Sequence, residues 1–198
     1  MTTASDNFKA NAERARSLVG LYEAHQALFA PVLNSDDMLR AALVAIVSAL
    51  DAYVHQRVKA RIIDIFTGDG PEPKGFKQLQ LGASWFRAYQ ATGMQSSVLD
   101  SAIQERFGWQ SFQMPDKIAG AWRFTSDVKL WEALGAALEA ETEELKTKLK
   151  LIVDRRNAIV HEGDMRPDRV GELWPIEVAE TAENIGFVES LVAELEKL

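Results

Sequence analysis

The chain of 198 residues contains no cysteine. It therefore has no disulfide bond, no thiolate nucleophile and no cysteine-ligated zinc site. The longest apolar run, residues 41–50, is far shorter than the roughly 20 residues that a transmembrane helix needs. The first residues also lack the apolar segment of a secretory signal. We expect a cytoplasmic protein with no membrane partner.

Several sequence motifs of catalysis are missing as well. There is no HExxH, and no set of histidines and carboxylates has the spacing of a metal site. The chain lacks a Walker-type glycine loop, GxGxxG and GxSxG, which are motifs of nucleotide binding and of serine hydrolases. The sequence therefore predicts neither a metal ion nor a cofactor.

Helical periodicity extends over most of the chain, and no segment of useful length alternates as a strand would. The pattern predicts an all-α fold in one domain, residues 1–198, with a variable middle region at about 67–130. Short helices are expected in that middle region at 84–92, 96–110 and 127–138. The long helices are expected at 5–29, at 38–66, from Glu139 to a stop at Gly163, and at 175–197 with Pro175 in the first turn.

The formal net charge of −7 is unusual for a protein that binds nucleic acid. Acidic residues dominate the C-terminal segment, whereas basic residues form two clusters. Either the folded molecule has one basic face and one acidic face, or these are ordinary solvated helix faces. The clusters are Lys146, Lys148, Lys150, Arg155 and Arg156, and Arg57, Lys59 and Arg61.

The segment 151–164, LIVDRRNAIVHEGD, carries polar groups on an apolar helical pattern. Arg156 supplies a permanent cation, Asn157 a neutral amide, and His161 a side chain that exchanges protons near neutral pH. These groups suit chemistry on a phosphodiester. Asn157 and His161 share a helix face, but Arg156 is offset from His161 by roughly 140°. A second helix or a second subunit is therefore expected to complete the site.

A second polar stripe lies on the predicted helix 38–66. Its positions are three, four and four residues apart, so they share one face beside an apolar core face. Asp51 is expected to orient a histidine or to pair with an arginine across the bundle, the alternative being an ordinary surface pair with His55. The stripe comprises Ser48, Asp51, His55 and Lys59, and the core face comprises Val47, Leu50, Val54, Val58 and Ile62.

The segment RRNAIVH resembles the Arg-x4–6-His signature of HEPN domains (higher eukaryotes and prokaryotes nucleotide-binding), with a polar residue directly after the arginine. The segment SALDAYVHQRVKARI, at 48–62, resembles the second helix of the RiboL-PSP-type branch, and the two segments follow in the family's order. The similarity covers 36–66 and 140–163, with a general match to a closing helix at 175–197.

This resemblance implies an up-and-down helical bundle with long central helices, usually dimeric. Active members of the family are metal-independent RNA endonucleases of toxin or antiphage-defence systems, and inactive members exist too. The implied partners are RNA, a second copy of the chain joined through 140–163, and an antitoxin or other defence-system protein. The implied catalytic residues are Arg156, His161 and Asn157, with Asp51, His55 and Arg155 in support and Lys146 and Lys150 binding substrate.

Two classes of function therefore remain. In the first, the chain is a ribonuclease in which His161 transfers protons and Arg156 stabilises charge on the phosphate. In the second, the same bundle binds nucleic acid, a nucleotide or a protein partner without catalysis. The presence of both Arg156 and His161 favours the enzyme.

Overall fold

The computed structural model describes residues 3–29, 35–93 and 96–198, and within these ranges the chain is helical with no strand beyond one isolated bridge between Met165 and Leu173. The all-α fold predicted from the sequence is confirmed. The described helices are α1 (Ala4–Phe29), α2 (Asp36–Thr67), α3 (Ala83–Thr92), α4 (Ser96–Phe107), α5 (Pro115–Trp122), α6 (Leu130–Ala137), α7 (Thr142–Glu162) and α8 (Val178–Leu195), with a 3-10 turn at Phe76–Gln78.

Helix α2 is the centre of the bundle and packs against α1, α4, α5, α7 and α8. All five residues of its predicted core face are at most 1% exposed, and burying each such aliphatic side chain stabilises the fold by about 1.5–3 kcal/mol. An 18-residue window of α2 has a mean hydropathy of 1.5, enough by length and composition for a membrane span, and 56% of that window is buried inside the bundle. A helix buried at the centre of a helical bundle has the same apolar composition as a membrane span.

One end of the bundle is fixed by a buried carboxylate, that of Asp164. Helix α7 ends in a left-handed residue, Gly163, with φ of 65°, and the amide of Asp164 donates to the carbonyl of Ala158 at 3.0 Å. This turn brings Asp164, which is 1% exposed, beneath its own helix. There its Oδ2 lies 2.7 Å from Nε of Arg40 and its Oδ1 lies 2.6 Å from Nη1 of Arg155. The end of α7 is thereby tied to the start of α2.

Two of the long helices begin three residues later than predicted. Helix α7 begins at Thr142 instead of Glu139, because Glu139 has a left-handed backbone with φ of 52°. Helix α8 begins at Val178 instead of Pro175. The segment before α8 is not helical because it runs along Arg155, whose Nη2 donates to the carbonyl of Pro175 at 3.0 Å.

Candidate active site

The sequence motif lies on one wall of a cleft with a volume of about 510 Å³. Val153, Arg156, Asn157 and His161 line it from α7, where spacings of three and four residues keep them on neighbouring parts of the helix surface. The opposite wall is the segment 109–117, which contributes Trp109, Gln110, Ser111, Gln113, Met114 and Lys117. The second wall that the motif requires is therefore present within the same chain.

Arg156 is a cation without a counter-ion inside the described structure. Its Nη1 donates to Oδ1 of Asn157 at 3.0 Å, while its buried Nε has no hydrogen-bond partner there. A buried donor without a partner is costly unless a ligand or water satisfies it. The guanidinium is thus arranged to receive an anion.

His161 occupies the last turn of α7, one residue before the helix ends. Its side chain is exposed and lines the cleft. It has no hydrogen bond or ion pair to any residue that the structure describes, so the imidazole is free to contact a ligand. The glycine stop at Gly163 determines this position, because a longer helix would place His161 mid-helix.

The adjacent arginine, Arg155, has a different role. It lies about 100° around the helix from Arg156 and does not line the cleft. Its guanidinium binds Asp164 and the carbonyls of Trp174 and Pro175. The expected support from Arg155 is therefore structural, since it positions the end of the helix on which His161 lies.

Asp51 does not reach Arg156 or His161 by any hydrogen bond in the described structure, contrary to the contact expected from the sequence. Its Oδ1 instead accepts the amide proton of Phe112 at 2.5 Å, and its Oδ2 accepts from Nε2 of Gln113 at 3.1 Å. The carboxylate faces His55 of its own helix at 3.7 Å. The partner of Asp51 is thus the wall opposite the motif.

His55 holds the same wall. Its Nε2 lies 3.1 Å from the carbonyl oxygen of Gln110, and because a carbonyl only accepts, that nitrogen must carry the proton. The imidazole also packs on Phe112 with ring centroids 4.4 Å apart. Asp51 and His55 therefore do not line the cleft. They hold residues 110–113 in place behind it.

Lys146 and Lys150, expected to bind substrate, do not line the cleft. They lie eleven and seven positions before Asn157 and so within about 20° of its helix face. Lys146 pairs with Glu143 at 2.8 Å and Lys150 with Asp154 at 2.7 Å. Such exposed pairs contribute at most about 1 kcal/mol, so both lysines can exchange their partner for another anion.

The charge of the cleft differs from that of the whole chain. Of its described lining residues none is acidic, and Arg156 and Lys117 are both basic. The basic clusters predicted from the sequence did not include Lys117, and no helical periodicity marks the segment 109–114.

In the described ranges no group of three or more His, Asp or Glu side chains is arranged to hold a metal ion.

Comparison with known protein families gives a match over most of the chain. The family model described as RiboL-PSP-HEPN matches residues 9–198 of the chain. No curated protein and no solved structure matches it.

Proposed function

The chain belongs to the RiboL-PSP-HEPN family, and we propose that it is an RNA endonuclease whose active site is the cleft between α7 and the segment 109–117. The observation that carries this proposal is an arginine without a counter-ion beside a free histidine, in a cleft whose described lining has no carboxylate. A phosphodiester supplies the anion that such a site lacks.

The proposed reaction is attack by the 2′-hydroxyl of the substrate on the neighbouring phosphorus. The 2′-oxygen loses its proton and bonds to phosphorus, the bond to the 5′-oxygen breaks, and that oxygen takes up a proton. The products are a 2′,3′-cyclic phosphate and a free 5′-hydroxyl. His161 would transfer a proton, Arg156 would stabilise the extra negative charge on the phosphoryl oxygens, and Asn157 would orient the phosphate or Arg156. None of these steps needs a metal ion.

A two-fold dimer through α7 fits this chemistry. The reaction needs both a base and an acid, and one copy of the chain offers the cleft one imidazole. A two-fold axis beside α7 would bring a second His161 to the same site. Exposed apolar side chains flank His161, with Val160 47% and Met165 52% exposed, and their burial would favour such an interface.

We further propose that the nuclease acts in toxin or antiphage defence under the control of a partner protein. Helix α3 offers a surface for that partner, since it has no buried residue and exposes Phe86 and Tyr89 at 54% and 38%.

Incubation with single-stranded RNA and with DNA of the same sequence, both in excess EDTA, tests the proposed reaction. We expect the RNA to be cut and the DNA to remain intact, because DNA lacks the attacking 2′-hydroxyl. Cleavage should disappear in His161→Gln, which keeps a polar side chain but transfers no proton. RNA that is bound and left intact would favour the non-catalytic binding module, whereas equal cleavage by wild type and variant would show contamination.

A further inference from the structure

The wall at 109–117 carries side chains that the proposed cleavage chemistry does not use. Trp109 is 78% exposed, the most exposed aromatic side chain among the described residues, and it lines the cleft. Gln113 lines the same cleft and is only 6% exposed. One wall therefore presents a broad apolar ring and a nearly buried amide to whatever occupies the cleft.

The position of Trp109 follows from the glycine before it. The amide of Gly108 donates to the carbonyl of Gln104 at 2.7 Å, and a Cβ at Gly108 would lie 2.6 Å from that same oxygen. Only glycine fits this close approach without a backbone shift. The chain leaves α4 in a tight turn that places the indole at the cleft instead of in the core with Phe107 and Phe112.

The orientation of the Gln113 amide follows from Asp51. A carboxylate only accepts hydrogen bonds, so the group facing Oδ2 of Asp51 at 3.1 Å must be the NH2 end of the amide. The carbonyl end, Oε1, has no hydrogen-bond partner among the described residues. Because Gln113 lines the cleft, this acceptor is available to a donor from a ligand there.

We propose that this wall is a nucleobase subsite, in which Trp109 stacks on an unpaired base and Oε1 of Gln113 accepts a hydrogen bond from the amino group at C6 of adenine or C4 of cytosine. This subsite rests on the proposed RNA substrate and adds a preference for particular bases to it. Adenine and cytosine carry an amino donor where guanine and uracil carry a carbonyl acceptor. The subsite therefore selects adenine or cytosine. Asp51 is a positioning residue, because it prevents the amide from turning its NH2 group towards the base.

Binding and cleavage of short single-stranded oligo(A), oligo(C) and oligo(U) test the subsite. We expect wild type to prefer oligo(A) and oligo(C) over oligo(U). Loss of one stacked base costs about tenfold in affinity, so Trp109→Ala should raise KM about tenfold with little change in kcat. Trp109→Phe, which keeps a ring, should stay within about threefold of wild type. Trp174→Ala is the matched control, an exposed tryptophan outside the cleft, and should leave KM unchanged.

Asp51→Asn tests the orientation of the amide. Asparagine both donates and accepts, so Gln113 can turn either end towards the base, and the preference for oligo(A) and oligo(C) over oligo(U) should be lost. Retention of the full preference in Asp51→Asn, or an unchanged KM in Trp109→Ala, would overturn the proposal. Both Trp109 variants change an exposed side chain and should keep the fold, which circular dichroism checks.

Binding measured separately from cleavage distinguishes the subsite from the nuclease. Fluorescence anisotropy of labelled oligonucleotides on His161→Gln reports affinity in the absence of turnover. Base-selective binding that depends on Trp109, without cleavage by wild type, would support the subsite and reject the nuclease. Cleavage that does not depend on Trp109 would support the nuclease and reject the subsite.

Discussion

Replacing His161 by alanine should lower the rate of RNA cleavage by two to four orders of magnitude, the usual contribution of a positioned general acid or base. His161 has no contact that holds the fold, since it is exposed and without a hydrogen bond in the described structure. The free energy of unfolding should therefore change by no more than about 0.5 kcal/mol. Single-turnover cleavage of a labelled RNA measures the rate, and urea denaturation measures the stability.

Arg156→Ala should produce a similar loss, about two to three orders of magnitude, because it removes charge stabilisation at the phosphoryl oxygens. Arg169→Ala is the matched control, since Arg169 is exposed and its ion pair is with Glu172, outside the cleft. That variant should cleave at the wild-type rate. Normal cleavage by Arg156→Ala or His161→Ala would mean that the chemistry occurs elsewhere.

Asp164→Asn should destabilise the fold by about 3 kcal/mol, the cost of removing one member of a buried ion pair. Arg40 is 6% exposed and would keep only its long ion pair, at 3.4 Å, with the exposed carboxylate of Asp37. Asparagine tolerates the left-handed backbone found at this position, so the change isolates the charge. Urea denaturation of both proteins gives the difference.

Asp64→Asn is the control for this stability effect, because Asp64 is half-exposed and its ion pair with Arg61 is long, at 3.6 Å. It should change the free energy of unfolding by less than about 0.5 kcal/mol. Arg155→Ala should destabilise the protein as Asp164→Asn does, because Arg155 is also a partner of Asp164. Arg156→Ala, at the neighbouring position, should lose activity and keep its stability. Equal stability of Arg155→Ala and wild type would contradict the structural role given to Asp164.

Much of the fold could be predicted from the sequence because the long helices carry regular apolar patterns. The core face of α2 is buried as predicted, and Gly163 ends α7 as predicted. Helix α5 was missed although Pro115 stands at its first position, a recognised start signal. Gly120 interrupts its short apolar pattern. Its eight residues are too few for periodicity to decide.

The candidate site could be predicted only in part. Arg156, Asn157 and His161 are close in sequence, so helical geometry places them together. The opposite wall depends on contacts of Asp51 with Phe112 and Gln113, which lie 61 and 62 positions later in the chain. No local sequence pattern encodes contacts over that distance. The same holds for Asp164, whose partner Arg40 lies 124 positions earlier. A polar stripe indicates that a partner exists, but only the fold identifies it.

We propose that this cleft cleaves RNA through the substrate's own 2′-hydroxyl. The most direct test maps the cleavage position in a defined RNA and then replaces the ribose 5′ to that bond by 2′-deoxyribose. We expect wild type to stop cutting at this position, to cut an RNA with the deoxyribose one nucleotide away, and to leave a 2′,3′-cyclic phosphate on the unmodified RNA. Cleavage at the deoxy position, with a 3′-hydroxyl and a 5′-phosphate as products, would contradict it.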